Sequence, residues 1–329
     1  MKAAIVPQVN GPWEIKDVPT PKIGADEVLV KMHASGICYS DVHETLGHLP
    51  GAFPRILGHE PVGEIVEIGA GVTTRKVGDR VGVAWVQHTC MRCEWCGRRK
   101  FNFCAKQEVT GIHRQGGHAE FMPMYESATT LIPDGVSYEQ AAPIFCAGYT
   151  VWSGIRAADP LPGEKVGVLG VGGLGHLAIQ YAKAAGYETY AISHSPDKDK
   201  LAKELGAVEV VKDGKALAAI GGVDILLNTS NSAAAMTDSL AALRPDGRFV
   251  SLGADAGTIA LSPIDLIMRR LKIVGGSQNG AEYLYEALQW VAKGKVKVRL
   301  ETYKLDEARK AYDRVAEGKA RFRAVLAIQ

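Results

Sequence analysis

The sequence predicts an α/β chain in two parts, a barrel-like β module followed by a doubly wound parallel sheet. Three observations support this. The 329 residues are long for one compact domain and comfortable for two. Before about Gly148 the apolar segments are short, Val-rich and bounded by Gly or Pro, with little helical periodicity ahead of Glu139. Beyond that point strand and helix patterns alternate.

In the first part, residues 27–34 (EVLVKMHA), 62–68 (VGEIVEI) and 79–85 (DRVGVAW) read as strands. Many short strands with Gly/Pro turns suggest a barrel-like module. In the second part, residues 165–169, 188–192, 208–211, 224–228, 248–252 and 272–274 read as strands, and 174–185 and 197–205 as helices. Six strands in a βαβ rhythm predict a parallel sheet. The C-terminal strand at 323–328 has no seventh place in that sheet and is expected to return to the β module. The expected division is 1–147 with 292–329, and 148–291.

Composition narrows the function. The chain is 47% hydrophobic and 22% charged with a net charge of +2, so bulk charge gives no reason to expect nucleic acid or an acidic membrane as partner. No apolar run matches a signal sequence or a spanning helix, so a cytoplasmic protein is expected. Six cysteines in such a protein point to metal or catalysis before disulfides.

Four of them, Cys90, Cys93, Cys96 and Cys104, read C-x2-C-x2-C-x7-C in a lobe at about 88–106. Short two-residue gaps let a chain wrap zinc tetrahedrally, and the polar, basic and aromatic residues between them form no apolar core, so a metal would supply the cohesion. An iron–sulfur cluster draws on the same ligands, and free or disulfide-linked thiols are the bland alternative; zinc ranks first. Four thiolates close a site, which makes it structural.

Cys38 and Cys146 remain, with His59 and Glu60 in ILGHEPVGEI. Cys38, His59 and Cys146 would give one nitrogen and two sulfurs, the three-ligand set that leaves a fourth position for water or substrate. Spacing alone cannot assemble them, and a lone cysteine is usually a small buried hydrophobe. Gly170, Val171, Gly172, Gly173, Leu174 and Gly175 form a GxGxxG run between a strand and a helix. In that context the glycines serve a tight turn, approach to a pyrophosphate and helix packing.

GICYSDVH, GHEPVGEIVEIGAGV, the cysteine lobe, CAGYT and GVGGLG, in this order, resemble the zinc-containing alcohol dehydrogenases of the medium-chain dehydrogenase/reductase superfamily. The resemblance covers essentially the whole chain. It implies a GroES-like β-barrel catalytic domain and a Rossmann cofactor domain. It also implies catalytic zinc on Cys38, His59 and Cys146, with Glu60 a near or alternating ligand and Asp41 behind the ligand histidine, fixing its tautomer. With the lobe, two Zn2+ per chain are expected. Ser40 and His43 match the family's proton relay; the plain alternative for His43 is a surface histidine. Thr150 matches a position beside the nicotinamide, Leu252, Gly253, Gly276 and Ser277 lie where the carboxamide should, and Arg323 matches a pyrophosphate contact, unless it is a surface charge. Tyr39 departs from the family, where a basic residue often follows the first cysteine.

The strand after the glycine loop ends in Ser193-His194-Ser195-Pro196-Asp197-Lys198. An NAD enzyme usually places an acid there for the ribose 2′-hydroxyl; Ser193 stands in its place. Hydroxyls and a lysine suit a 2′-phosphate, and the run resembles the NADP-linked cinnamyl-alcohol-dehydrogenase-like branch. NADP(H) is therefore expected, read by Ser193, Ser195, Lys198 and His194, with NAD(H) the alternative; a polar turn capping the next helix is the competing reading.

The expected reaction is reversible hydride transfer between the cofactor and a primary alcohol or aldehyde. Rivals are a polyol dehydrogenase of the same superfamily, disfavoured by Cys146, and a zinc-lobed nucleotide-binding regulator, disfavoured by a single short basic loop (Arg92, Arg98, Arg99, Lys100). The expected partners are the small substrate and further copies of the chain, as homodimer or homotetramer.

Overall fold

The computed structural model describes residues 1–276 and 278–329; Ser277 lies outside them. Contacts divide the chain into two compact units, Met1–Cys146 with Asn279–Ala292 and Val298–Gln329, and Ala147–Gln278 with Lys293–Lys297. Among the described residues no helix is long and apolar enough to cross a membrane.

The first unit contains strands β1 (Lys2–Val6), β2 (Glu14–Asp17), β3 (Glu27–Ile37), β4 (Arg55–Ile56), β5 (Pro61–Ile68), β6 (Arg80–Gly82), β7 (Val86–His88), β8 (Glu108–Val109), β9 (Phe121–Tyr125) and β10 (Thr130–Leu131). Its main sheet runs β10-β6-β5-β3, and β9 also pairs with β3. β3 is its spine. It is buried along nearly all its length, which explains the nearly continuous apolar run, and two register shifts against β5 let it bend. Val28, Val30 and Met32 of β3 meet Ile65, Val81, Met122 and Met124 in the core.

Two expectations for this unit change. The strand expected at 79–85 breaks after Gly82, because the carbonyls of Ala84 and Trp85 accept bonds from the Thr110 hydroxyl and amide at 2.9 and 3.0 Å and leave the ladder. A helix, α1 (Tyr39–Thr45), follows β3. Two turns are too short for helical periodicity to reveal, so this element was invisible in the sequence pattern.

The second unit holds strands β11 (Lys165–Leu169), β12 (Glu188–Ile192), β13 (Glu209–Val211), β14 (Val223–Asn228), β15 (Leu243–Ser251) and β16 (Lys272–Gly275). They form one parallel sheet in the order β13-β12-β11-β14-β15-β16. That is the doubly wound arrangement, with the first strand central and the chain reversing direction between β11 and β14.

After β16 the chain forms a helix at Ala281–Ala292. Expected with the parallel sheet, this helix belongs to the first unit, where it packs on the segments Tyr138–Ala141 and Ala142–Phe145. The C-terminal strands β17 (Leu300–Lys304) and β18 (Arg323–Ala327) pair in parallel, and β18 lies antiparallel on β3. The last strand thus returns to the β module.

Candidate active site

One end of β3 gathers residues from four distant stretches. Cys38 follows β3 and caps α1; its amide donates to the Asp41 carboxylate at 2.7 Å, which fixes the cysteine at the helix start. In the β3–β5 ladder Ser35 faces Pro61, so His59 and Glu60 lie beside Gly36 and Cys38; the Gly36 amide donates to the Glu60 carbonyl at 3.2 Å. β18 pairs Ala324 with Ile37, which brings Arg323 alongside. Cys146 arrives from the fully buried turn Ala142–Phe145.

The donor atoms fit zinc. Cys38 Sγ and Cys146 Sγ are 3.8 Å apart, and His59 Nε2 is 3.3 Å from Cys146 Sγ. Two sulfurs tetrahedrally placed about 2.3 Å from one centre stand about 3.8 Å apart, and a sulfur and an imidazole nitrogen slightly less. Glu60 offers a carboxylate oxygen within 4.8 Å of the other three donors, but its Oε1 pairs with the Arg323 guanidinium. The protein therefore presents three strong donors and a carboxylate with one oxygen on Arg323 and the other, Oε2, without a hydrogen-bond partner among the described residues.

The electrostatics point the same way. The Cys146 hydrogen bond holds the Cys38 thiol well below its ordinary range, while the Cys38 thiolate pushes Cys146 well above. Burial depresses His59, yet the Cys38 thiolate and the Asp41 carboxylate outweigh it and push it up to about 10. Burial lifts Glu60 to about 7 against the pull of Arg323. Without a cation these buried groups balance their charge by keeping protons on Cys146 and His59. A divalent ion would replace those protons, as metal sites require.

Behind His59 stand more buried groups than Asp41 alone. Asp41 Oδ1 is 3.9 Å from His59 Nδ1, but it also accepts from the Gly58 amide at 3.1 Å. Glu44 Oε1 stands equally close to Nδ1, at 3.9 Å, and both Glu44 carboxylate oxygens lack a hydrogen-bond partner among the described residues. His118, fully buried, lies 3.6 Å from Asp41. Asp41 and Glu44 sit three apart on α1 and share a face; that spacing was the available signal. Trp85 stands edge-on to His59, ring centroids 5.0 Å apart, so it walls the site.

In the lobe, Cys90 and Cys104 sulfurs are 3.6 Å apart, Cys93 and Cys96 3.5 Å, and Cys90 and Cys96 4.0 Å. These separations again match a zinc tetrahedron. Pairing of β7 with β8 closes the loop that carries all four.

In the second unit the glycine loop joins β11 to the helix Gly175–Ala184. Gly170 has φ +88°, and a Cβ on Gly175 would fall 1.9 Å from the Gly170 carbonyl oxygen. Neither position admits a side chain. A Cβ on Gly172 would meet nothing within 4 Å, which leaves open backbone for a ligand to approach; Gly173 and Leu174 complete the turn. At the end of β12, Ser193 Oγ accepts from the Ser195 amide at 3.3 Å. Ser195 precedes the helix Pro196–Leu205 but makes no side-chain cap bond, so its hydroxyl is not spent on capping. Ser193, Ser195 and Lys198 are half-buried and His194 is exposed. Thr150 Oγ1 accepts from Gln278 at 3.4 Å. The Leu252 and Gly253 amides both donate to the Asn228 carbonyl, and Gly276 donates to Ser251.

Ser40 Oγ lies 3.9 Å from Cys38 Sγ, and His43 is half-buried on α1. Arg323 departs from its expected surroundings. It is 4% exposed with its guanidinium on Glu60, because the β18 register sets it opposite the start of α1.

Residues 24–134 match the alcohol dehydrogenase GroES-like domain and residues 173–293 the zinc-binding dehydrogenase family. An alcohol dehydrogenase of Geobacillus stearothermophilus is 39% identical, with all of both chains covered. Among solved structures, the Aeropyrum pernix alcohol dehydrogenase superposes with a TM-score of 0.90 at 32% identity, covering 99% of this chain and 100% of that one. An NAD-dependent alcohol dehydrogenase gives 0.93 at 28%, covering 100% of both. A Sinorhizobium meliloti structure bound to NADP gives 0.90 at 28%, covering 99% and 98%. Donor geometry, fold and relatives agree: the chain belongs to the zinc-type alcohol dehydrogenases of the medium-chain dehydrogenase/reductase superfamily, enzymes that act on small molecules and use a nicotinamide cofactor.

Proposed function

We propose that this chain is an NADP(H)-preferring alcohol dehydrogenase/aldehyde reductase of primary alcohols and aldehydes, close to the cinnamyl-alcohol-dehydrogenase-like branch. In this reading it holds two zinc ions: Cys38, His59 and Cys146, with Glu60 nearby, hold the catalytic one, and the four lobe cysteines the structural one. The 3.8 Å spacing of Cys38 and Cys146 sulfurs beside the His59 nitrogen carries this reading. Bound there, zinc would supply Lewis acidity that makes an alcohol proton labile near neutral pH, and the dinucleotide would take or give hydride.

The chain's own residues do the rest. Asp41 and Glu44 orient His59 from behind. Arg323 pairs with Glu60. Trp85 presses on His59 and shields the buried side of the site. The Ser40 hydroxyl takes the alcohol proton and hands it outward toward His43, whose imidazole can accept a proton at one nitrogen and release one from the other.

Cofactor choice is supported by Ser193 in the acid's place and by the unspent Ser195 hydroxyl with Lys198 behind it; the similar structures include both an NADP-bound and an NAD-dependent enzyme. Leu252, Gly253, Gly276, Ser277 and Thr150 would hold the nicotinamide end of the cofactor, and Arg323 its pyrophosphate. Comparing kcat/KM for NADPH and NADH tests the preference. An advantage of at least about tenfold for NADPH is expected, and a preference for NADH overturns it. A cytoplasmic homodimer or homotetramer completes the reading, supported by Ile264, Ile267, Met268 and Ile273, which are half to three-quarters exposed near the open edge β16.

A further inference from the structure

Helix α1 ends in a way that brings two histidines together. Gly47 has φ +75°, the left-handed conformation that closes a helix. Its amide donates to the Glu44 carbonyl at 3.1 Å, and the next amide, that of His48, donates to the His43 carbonyl at 2.9 Å. These are the two bonds of the Schellman motif. In that motif the residue after the glycine folds back on the residue whose carbonyl it binds, usually as an apolar contact. Here both positions are histidine. Their Nδ1 atoms are 3.2 Å apart and the ring centroids 5.5 Å. Tyr39 closes the other side of His43, edge-on at 5.1 Å. His43 is half-buried and His48 exposed. The backbone of the helix terminus sets this contact, independently of the metal centre.

We propose that His48 is the outer station of the proton outlet, taking the proton from His43 and delivering it to water; this rests on the relay reading of Ser40 and His43. Two nitrogens at this distance share one hydrogen, so one ring donates and the other accepts. The balance is simple. A proton arriving from the interior binds His43 Nε2. The proton on His43 Nδ1 passes to His48 Nδ1, which makes His48 an imidazolium and leaves His43 neutral. His48 then releases a proton to solvent from a nitrogen that buffer can reach. Aldehyde reduction runs the same path inward.

The test uses the zinc-loaded full-length enzyme, with single-turnover alcohol oxidation and aldehyde reduction measured in dilute and in concentrated sulfonate buffers that do not ligate metal. His48→Gln keeps a polar side chain on the helix end. In dilute buffer it should slow proton-coupled turnover by about tenfold, with KM unchanged, and concentrated buffer should restore the rate, while the wild type responds little to buffer. Wild-type rates for His48→Gln in dilute buffer overturn the proposal, and so does a slow variant that buffer does not rescue, since that marks a structural defect. His43→Gln separates the two levels. If it is slow while His48→Gln is silent, only the outer station fails; if both are silent, the relay reading falls as well.

Discussion

The two cysteine-bearing donor clusters of this chain are built in opposite ways. The lobe draws four ligands from fifteen consecutive residues, Cys90 to Cys104, and a two-stranded pairing closes it. The other centre draws Cys38, His59 and Cys146 across more than a hundred residues, and a bent central strand, a two-turn helix and a returning C-terminal strand hold its surroundings. Both reach nearly the same donor spacing, about that of a zinc tetrahedron. The local centre can stiffen a segment that has no apolar core. The distant one exists only when the first unit is folded, so it inherits a set of buried charges. Structural zinc can be local, whereas catalytic zinc needs tertiary surroundings to keep a coordination place open and an imidazole oriented.

The largest effect belongs to Cys146→Ser. It should abolish alcohol oxidation, a loss on the order of 10³-fold or more, while metal analysis falls from about two zinc to about one per chain and the melting temperature changes little. Full activity would show that the distant centre does no chemistry. Cys96→Ser should do the reverse. The lobe loses its metal, the retained zinc sits at the distant centre, and stability falls by about 3 kcal/mol or more, read by denaturant unfolding. Equal activity loss and no change in stability would erase the division of roles.

The smallest effects lie behind the ligand histidine. Asp41→Asn removes a charge behind His59 and Glu44→Gln a carboxyl group that burial lifts to about 8; Asp41→Asn should weaken zinc at the distant centre by about 10- to 100-fold, measured by competition with a chelator. Glu44→Gln should have the smaller effect near neutral pH, where burial keeps the Glu44 carboxyl protonated, and should approach Asp41→Asn above about pH 8, since both groups stand 3.9 Å from Nδ1. Zinc affinity unchanged by Glu44→Gln would leave Asp41 as the sole orienting group. Neither change should alter the lobe, whose ligands touch neither carboxylate.

The pattern of residues alone determined the two-part architecture, the parallel strands, the return of the C-terminal strand and the cysteine lobe. Each depends on local information: apolar periodicity, Gly/Pro punctuation and short ligand gaps. The strand end just before Ser193 was also legible, since a run carrying Thr189, Tyr190 and Ile192 and closed by a polar turn is a local signal. The short helix α1 was not, because two turns held by capping leave no period to read. Nor were the Glu44 and His118 surroundings of His59, the pairing of Glu60 with Arg323, or the contact of His43 with His48. These depend on which strands pair and in what register, and on a left-handed glycine at a helix end. Long-range pairing decides which buried charges meet, and burial decides their energies; neither is a property of any one stretch of chain.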